Sequence, residues 1–406
     1  MSSSGRAVIW SPDYLGYTWA PGHPMNPVRL DLTMRLARSL GLFDRADVVA
    51  PVAATDAELA RIHTTDYIAA VKAAGAQPAP PVGLGPSAPF GLGTDDNPIF
   101  ARMHEAAAVI TGGTLEAARE LADGRALRAV SIGGGMHHAM PSAASGFCVY
   151  NDVAVAISWL LDHGFERIAY LDVDVHHGDG VQHAFYDDPR VLTVSLHQHP
   201  RTLWPGTGWP GERGTGSGEG YAINVPLPPG TPDALWLRAF HAVVPGAVAA
   251  FEPQLVVSQC GVDTHADDPL ADLALHVDGH RAAFLAMREL ADRHCGGRWL
   301  AVGGGGYGLV RVVPRSWTHL VAAVLDVDLE PSTAVPADWI AHVRAIAPRA
   351  DPPTTMGEGI DVTVQRWDGS GPADDAPLAA YVDEMIEATR RSAFPLLGLD
   401  PEDPRD

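Results

Sequence analysis

The residues best placed to do chemistry lie in IAYLDVDVHHGDG (168–180). An apolar run there ends in Asp172, Asp174 and His176, with His177 and Asp179 close behind. Side chains two apart on an extended chain face the same side. Asp174 and His176 can therefore converge on one cation, and carboxylate with imidazole is a donor pair suited to Zn2+. Three carboxylates and two imidazoles within eight residues of an apolar strand are costly to bury without a use. A third ligand must come from another strand. QLVVSQCGVDTHADDP (254–269) is a second apolar run ending in a carboxylate, Asp263, with His265, Asp267 and Asp268 as near rivals. Asp263 comes first after the run and is favoured on position. Two Asp and one His leave an open position for water, the pattern of a catalytic zinc site.

Two further segments bring proton donors and acceptors. SIGGGMHHAM (131–140) has three glycines, which let backbone pass close to a pocket, followed by His137 and His138. Paired imidazoles near a metal serve as ligands or as general bases. With three ligand positions already filled, the pair is assigned to proton transfer. Each needs a carboxylate to set its tautomer, and Asp172 and Asp179 are available. LAVGGGGYG (300–308) is not a phosphate loop: no Lys-Ser/Thr follows, and the spacing is not GxGxxG. It reads as a close-packed turn presenting Tyr307, whose phenol can donate to a developing oxyanion.

These segments need a scaffold that gathers strand ends. Apolar runs at 7–10, 129–132, 168–175, 191–196, 255–260 and 299–302 alternate with helix-period segments. Several runs are apolar on both faces, which predicts a central parallel sheet flanked by helices on both faces, an α/β fold with its site at the carboxyl ends of the strands. Asn26-Pro27 opens a helix whose face carries Leu30, Met34, Ala37 and Leu40. Thr231-Pro232 opens another, and Met103, Ala107, Ile110, Thr114, Leu115 and Ala118 line a third. The loops 77–98 and 200–220 are long and rich in glycine and proline, as functional loops often are. Proline punctuation increases after about residue 330, followed by a helical segment at 378–391. The division expected is a main domain over 1–330 and a C-terminal extension over 331–406 packed on that same domain.

The bulk composition is compatible with this. At 46 % hydrophobic and 19 % charged residues, the chain can build a large core and is neither disordered nor a coiled coil. The 49 acidic against 28 basic side chains give a net charge of −21, which argues against a nucleic-acid partner. Cys148, Cys260 and Cys295 lack CxxC spacing and read as reduced thiols. The first residues show no signal-peptide pattern and no run approaches the ~18 apolar residues of a membrane span, so no membrane partner and a cytoplasmic location are expected. The oligomeric state is left open.

In order along the chain, GHPMNPVRL, GGGMHHAM, SGFCVYNDVAVAI, LDVDVHHGDGVQHAFY, TVSLHQ, PGTG, QCGVDTHADDPL and GGGGYG resemble the histone deacetylase superfamily, specifically its bacterial acetoin-utilization-type deacetylases. The C-terminal GLDP resembles that branch too. The resemblance implies an arginase/deacetylase-like fold and one catalytic zinc on Asp174, His176 and Asp263. It makes His138 the general base and acid and His137 its electrostatic partner. Asp172 and Asp179 stand behind His137 and His138 respectively, and Tyr307 is the oxyanion donor. Substrate contacts fall on Asp96 (beside Asp95, in GTDDNP) as a clamp for a peptide backbone, and on Gly146, Phe147, Trp204 and Leu270 along an acyl-lysine tunnel and its rim. Trp204 stands where phenylalanine is common and would narrow that rim. Arg29 lines an inner acetate cavity. The resemblance also implies one or two structural K+ ions, an inner one at Asp172, Asp174, His176, Ser195 and Leu196, and an outer one at Phe185, Asp188, Val191 and Tyr221. Asp188 stands where threonine is common.

The activity implied is zinc-dependent removal of acetyl groups from acetyl-lysine in proteins or peptides. An acetylpolyamine amidohydrolase shares the chemistry and is the first rival. An arginase-like ureohydrolase would want more metal-facing carboxylates and no Tyr307. A non-catalytic acyl-lysine binder would be expected to have lost one of these residues, yet all are present.

Overall fold

The computed structural model describes residues 5–19, 21–76, 88–369 and 376–406. The segment 77–87, the first half of the long loop expected at 77–98, lies outside the described residues. Eight strands form one sheet: β1 (Gly5–Ile9), β2 (Asp47–Val49), β3 (Ala126–Ser131), β4 (Ile168–Asp172), β5 (Val191–Gln198), β6 (Ala222–Leu227), β7 (Leu255–Gln259) and β8 (Trp299–Val302). Their order is β2-β1-β3-β8-β7-β4-β5-β6, and every pairing is parallel. Every residue of β4 to β8 is buried, and β4, β5, β7 and β8 are the runs that the apolar pattern marks. Two strands escape the reading by apolar runs. β6, AINVPL, is interrupted by Asn224 and Pro226, and β2 is three half-exposed residues at the edge.

Register explains the site. Ser131 pairs with Val302, Val302 with Gln259, and Gln259 with Asp172. Neighbouring strands β3, β8, β7 and β4 thus end level with one another. The four motif segments leave the sheet side by side at its carboxyl edge, where open α/β sheets hold their ligands.

Helices cover both faces. Asn26 Oδ1 accepts the Val28 N–H at 3.0 Å where the helix Val28–Ser39 begins. The helix Met103–Ala122 buries all six positions expected of it. The helix Asp233–Phe251 follows Thr231-Pro232; it is long and apolar enough to cross a membrane, yet Trp236, Leu237, Phe240, Val243 and Val244 are buried in the core beside β5. The C-terminal residues join this core. Trp339 Nε1 donates to Leu32 O at 2.9 Å. The helix Pro377–Ala393 packs on β6, where Thr389 Oγ1 donates to Asn224 O at 2.6 Å. It covers a sheet edge that would otherwise be open to pairing with another chain. Arg238 and Asp383 form a buried two-point ion pair at 2.7 and 2.9 Å.

Candidate active site

The turn after β4 carries Asp174 and His176, and the turn after β7 carries Asp263. One ligand atom from each lies within 4.8 Å of the others. His176 Nδ1 is 3.2 Å from Asp174 Oδ1 and 3.2 Å from Asp263 Oδ2. Two glycines make this convergence possible: a Cβ on Gly261 would fall 2.0 Å from Asp174 Oδ2, and one on Gly305 would fall 1.9 Å from Asp263 Oδ2. Burial and then the Asp174 charge push Asp263 upward, while His137 and His176, against the pull of burial, hold Asp174 down. Two fully buried carboxylates this close repel unless a cation joins them. Two carboxylate oxygens and an imidazole nitrogen are donors that fit a divalent cation, with Zn2+ well suited. His265, Asp267 and Asp268 stay outside the triad.

The histidine pair leaves β3 through its glycines and faces the triad. His137 Nδ1 and Asp172 Oδ2 are 2.7 Å apart, as are His138 Nδ1 and Asp179 Oδ1. The two rings lie 3.9 Å apart, and the His138 ring is 5.7 Å from His176. Burial lowers His137, but Asp172 and Asp174 outweigh it and push the imidazole up to about 9. Burial and the neighbouring His137 charge push His138 down to about 4, against the opposing pull of Asp179. Like groups 3.9 Å apart are thus pushed in opposite directions.

Tyr307, His137, His138, Asp174 and His176 meet around a cavity of about 20 Å³, enough for a single water. Burial and Asp263 push the Tyr307 phenol upward, so it keeps its proton and remains a donor. Arg29 lies behind it: its Nη1 donates to Gly306 O at 2.8 Å, and its guanidinium sits 5.8 Å from the Tyr307 ring.

Two aromatic rings pack on residues that line the cavity. Trp204 meets His138 edge-on at 4.6 Å, and Phe147 meets Tyr307 at 5.9 Å. Gly146, at φ +51°, is wedged between His138 and Trp204; a Cβ there would fall 2.5 Å from one and 2.6 Å from the other. His23 packs on Phe147 at 4.6 Å and bonds Asp96 O at 3.3 Å, which puts the exposed Asp96 beside that wall. Leu270 is half-buried, with its N–H on Asp268 Oδ1 at 3.0 Å.

The residues proposed for K+ fall in two places. Ser195 and Leu196 lie on β5, with Ser195 paired to Asp172 of β4. Phe185, Asp188, Val191 and Tyr221 gather at the opposite, amino-terminal ends of β5 and β6. There Phe185 O accepts from Asp188 N at 3.1 Å, Asp188 O from Val191 N at 3.3 Å, and Tyr221 O from Thr193 N at 2.8 Å. The Asp188 carboxylate is clasped by Arg190 at 2.9 and 2.6 Å.

Several supporting residues had not been singled out as such from the sequence. Gln259 Nε2 donates to Asp174 Oδ2 at 2.7 Å. Asp268 turns from the triad and accepts the Tyr307 N–H at 2.9 Å. Asp152 receives the N–H groups of Gly135 and Met136 at 3.0 and 2.7 Å, and Asn151 bonds the carbonyls of His137 and Ala139, so the two brace the glycine-histidine turn. A buried Asn-Asp pair opening an apolar helix was the available signal.

This chain belongs to the histone deacetylase superfamily: the family model for a histone deacetylase domain matches residues 23–324. Within the superfamily it is AcuC-like. It is 44 % identical over 344 residues to the acetoin utilization protein AcuC of Bacillus subtilis, covering 85 % of this chain and 88 % of the relative. The AcuC proteins of Staphylococcus aureus and Staphylococcus xylosus are 38 % and 36 % identical, over 83 % and 84 % of this chain and 86 % and 87 % of theirs.

Proposed function

We propose that this member of the family is a zinc-dependent deacetylase acting on acetyl-lysine in proteins or peptides. The observation that carries the reading is one small cavity onto which the Asp174, His176 and Asp263 triad, two histidine-aspartate pairs and a protonated tyrosine converge. A cation held by the triad supplies Lewis acidity at the acetyl carbonyl. The remaining chemistry belongs to side chains. With its Nδ1–H committed to Asp179, neutral His138 offers Nε2 as acceptor. Nε2 takes a proton from the attacking water and returns it to the leaving amine. Tyr307 donates a hydrogen bond from its hydroxyl to the oxyanion. His137, charged against Asp172, favours that anionic intermediate. Phe147 and Trp204 enclose a lysine's four methylenes, and Asp96 at the mouth accepts backbone N–H groups that a free polyamine lacks. K+ at the two sets named above is part of the same reading.

The deciding experiment compares kcat/KM for an acetyl-lysine peptide, acetylputrescine and acetylspermidine, in the wild type and in Asp96→Ala. The peptide should be the best substrate, and the substitution should hurt it most. Equal or faster turnover of the acetylpolyamines would assign the protein to polyamine chemistry instead.

A further inference from the structure

The match to the deacetylase domain ends at residue 324. Beyond it the chain continues through residues 331–360 with little regular structure outside the helix Ala337–Ile346. One side chain of that segment reaches back behind the site. Glu358 Oε2 accepts from His265 Nε2 and from the Val277 N–H, both at 3.0 Å, and its Oε1 accepts from Arg315 Nη2 at 2.7 Å. His265 and Arg315 are both 2 % exposed and the Glu358 side chain is 18 % exposed, so the Glu358–Arg315 ion pair and its histidine neighbour are largely out of water. Burying such a pair is costly, and removing one partner leaves the other stranded.

The turn carrying Glu358 is held from several sides. Arg315 Nη1 donates to Gly357 O at 3.0 Å, and Asp278 Oδ2 accepts the Glu358 N–H at 2.8 Å. A Cβ on Gly357 would fall 2.5 Å from Asp278 Oδ1, so only glycine lets the turn approach this closely. Glu358 is therefore delivered to His265 by a built contact.

His265 passes the constraint on. Its Nδ1 accepts the Asp267 N–H at 3.0 Å, which places the ring proton on Nε2, where Glu358 receives it. Its backbone carbonyl accepts the Asp268 N–H at 2.9 Å. Ring and carbonyl together pin the turn at 265–268, and Asp268 Oδ2 in turn accepts the Tyr307 N–H at 2.9 Å. An unbroken series of hydrogen bonds thus joins the C-terminal segment to the backbone of the tyrosine at the cavity.

We propose that Glu358 is a positioning residue for Tyr307, acting through His265 and Asp268. The C-terminal segment then completes the site from behind. This rests on the reading of Tyr307 as oxyanion donor. Loss of a supporting partner behind a metal site typically costs about 10–100-fold in activity. Because Tyr307 works in the transition state, the loss belongs in kcat.

The test is a double-substitution cycle with a spectroscopic arm. Glu358→Ala should lower kcat on an acetyl-lysine peptide by about tenfold with KM changed less than about twofold. In a Tyr307→Phe background the same substitution should cost less than about twofold, since two residues acting as one unit are not additive. In parallel, the nine tyrosines are labelled with 3-fluorotyrosine, and the Tyr307 signal is identified by its loss in Tyr307→Phe. Glu358→Gln, which keeps the side-chain volume, should move that signal and leave the others in place. Additive losses, an unchanged kcat or an unmoved Tyr307 signal each overturn the proposal. If Glu358→Ala does not fold, Glu358→Gln carries both arms. An inactive wild type refutes the deacetylase reading, while the fluorine signal still decides the positioning one.

Discussion

At the scale of single residues, the arrangement separates two adjacent imidazoles by charge. His138 must be neutral to take a proton, and burial together with His137 pushes it down to about 4. Activity that needs its neutral form is present above that value and lost as pH falls through it. We expect kcat/KM, measured at saturating metal, to hold level to about pH 5 and not to fall near the ordinary histidine value of about 6.5. His137→Gln removes the neighbouring charge, so the acid limb should move to higher pH. An unchanged acid limb in that variant would mean His137 does not set the protonation of His138. The same pair orders two substitutions: His138→Ala should lose more turnover than His137→Ala, and the opposite order would exchange their roles. The gathering of these residues at strand ends was legible in the sequence. HH, DVDVHH and GVD follow apolar runs, and strand ends are where α/β sheets hold ligands. What the spacing left open was which carboxylate serves which imidazole. Asp268 shows the limit, since a carboxylate five residues after Asp263 reads as a rival ligand until its bond to the Tyr307 N–H is seen.

At the scale of elements, the loop at 200–220 carries Trp204 to the His138 ring. That loop has little regular structure and is held by polar contacts in its place. Glu212 accepts the Gly208 and Trp209 N–H groups at 3.0 and 3.2 Å and Gln182 Nε2 at 3.0 Å, while Asn224 of β6 donates to its carbonyl at 2.9 Å. Gln182 and Thr207 also bond the two ring nitrogens of His177, the neighbour of His176. Glu212→Ala removes the fastening without touching the cavity. If the loop is then docked about a tenth of the time, apparent affinity drops by about tenfold. KM for a peptide should rise accordingly while kcat stays near wild type; a fall in kcat with KM unchanged would place Glu212 with the reacting groups. None of this was legible in advance. Glu212, Gln182 and Asn224 stand on three separate elements, and β6, which brings Asn224, lacks the apolar continuity that marks β4, β5, β7 and β8. Helix starts just after Asn26-Pro27 and Thr231-Pro232 were legible because proline at a helix start is a local signal.

At the scale of the whole molecule, the question is whether residues 331–406 stand or fall with the rest. Arg390 argues that they are one unit. It is fully buried, and its guanidinium donates to the carbonyls of Ala242, Asp400, Pro401, Asp403 and Asp406 while lying over the rings of Trp367 and Phe394 at 4.6 and 4.3 Å. Ala242 belongs to the core helix Asp233–Phe251, and the other four acceptors belong to the chain's last seven residues. One side chain thus ties the C-terminal tail to the centre of the domain. Arg390→Ala removes a charged donor that these carbonyls share, although those of Asp400 and Asp403 keep a backbone N–H, and opens a space beside two aromatic rings. A hydrogen bond from a charged group is worth about 1.5–3 kcal/mol, and several are lost together. Water entering the space will recover part of that, so a net loss of about 3 kcal/mol is expected, large for one substitution. It should appear as a lower midpoint in chemical denaturation. If the extension and the sheet form one cooperative body, tryptophan fluorescence and loss of turnover will shift together to the same new midpoint. An early fluorescence transition that leaves turnover intact would instead show that the extension unfolds by itself, and that the site does not need it.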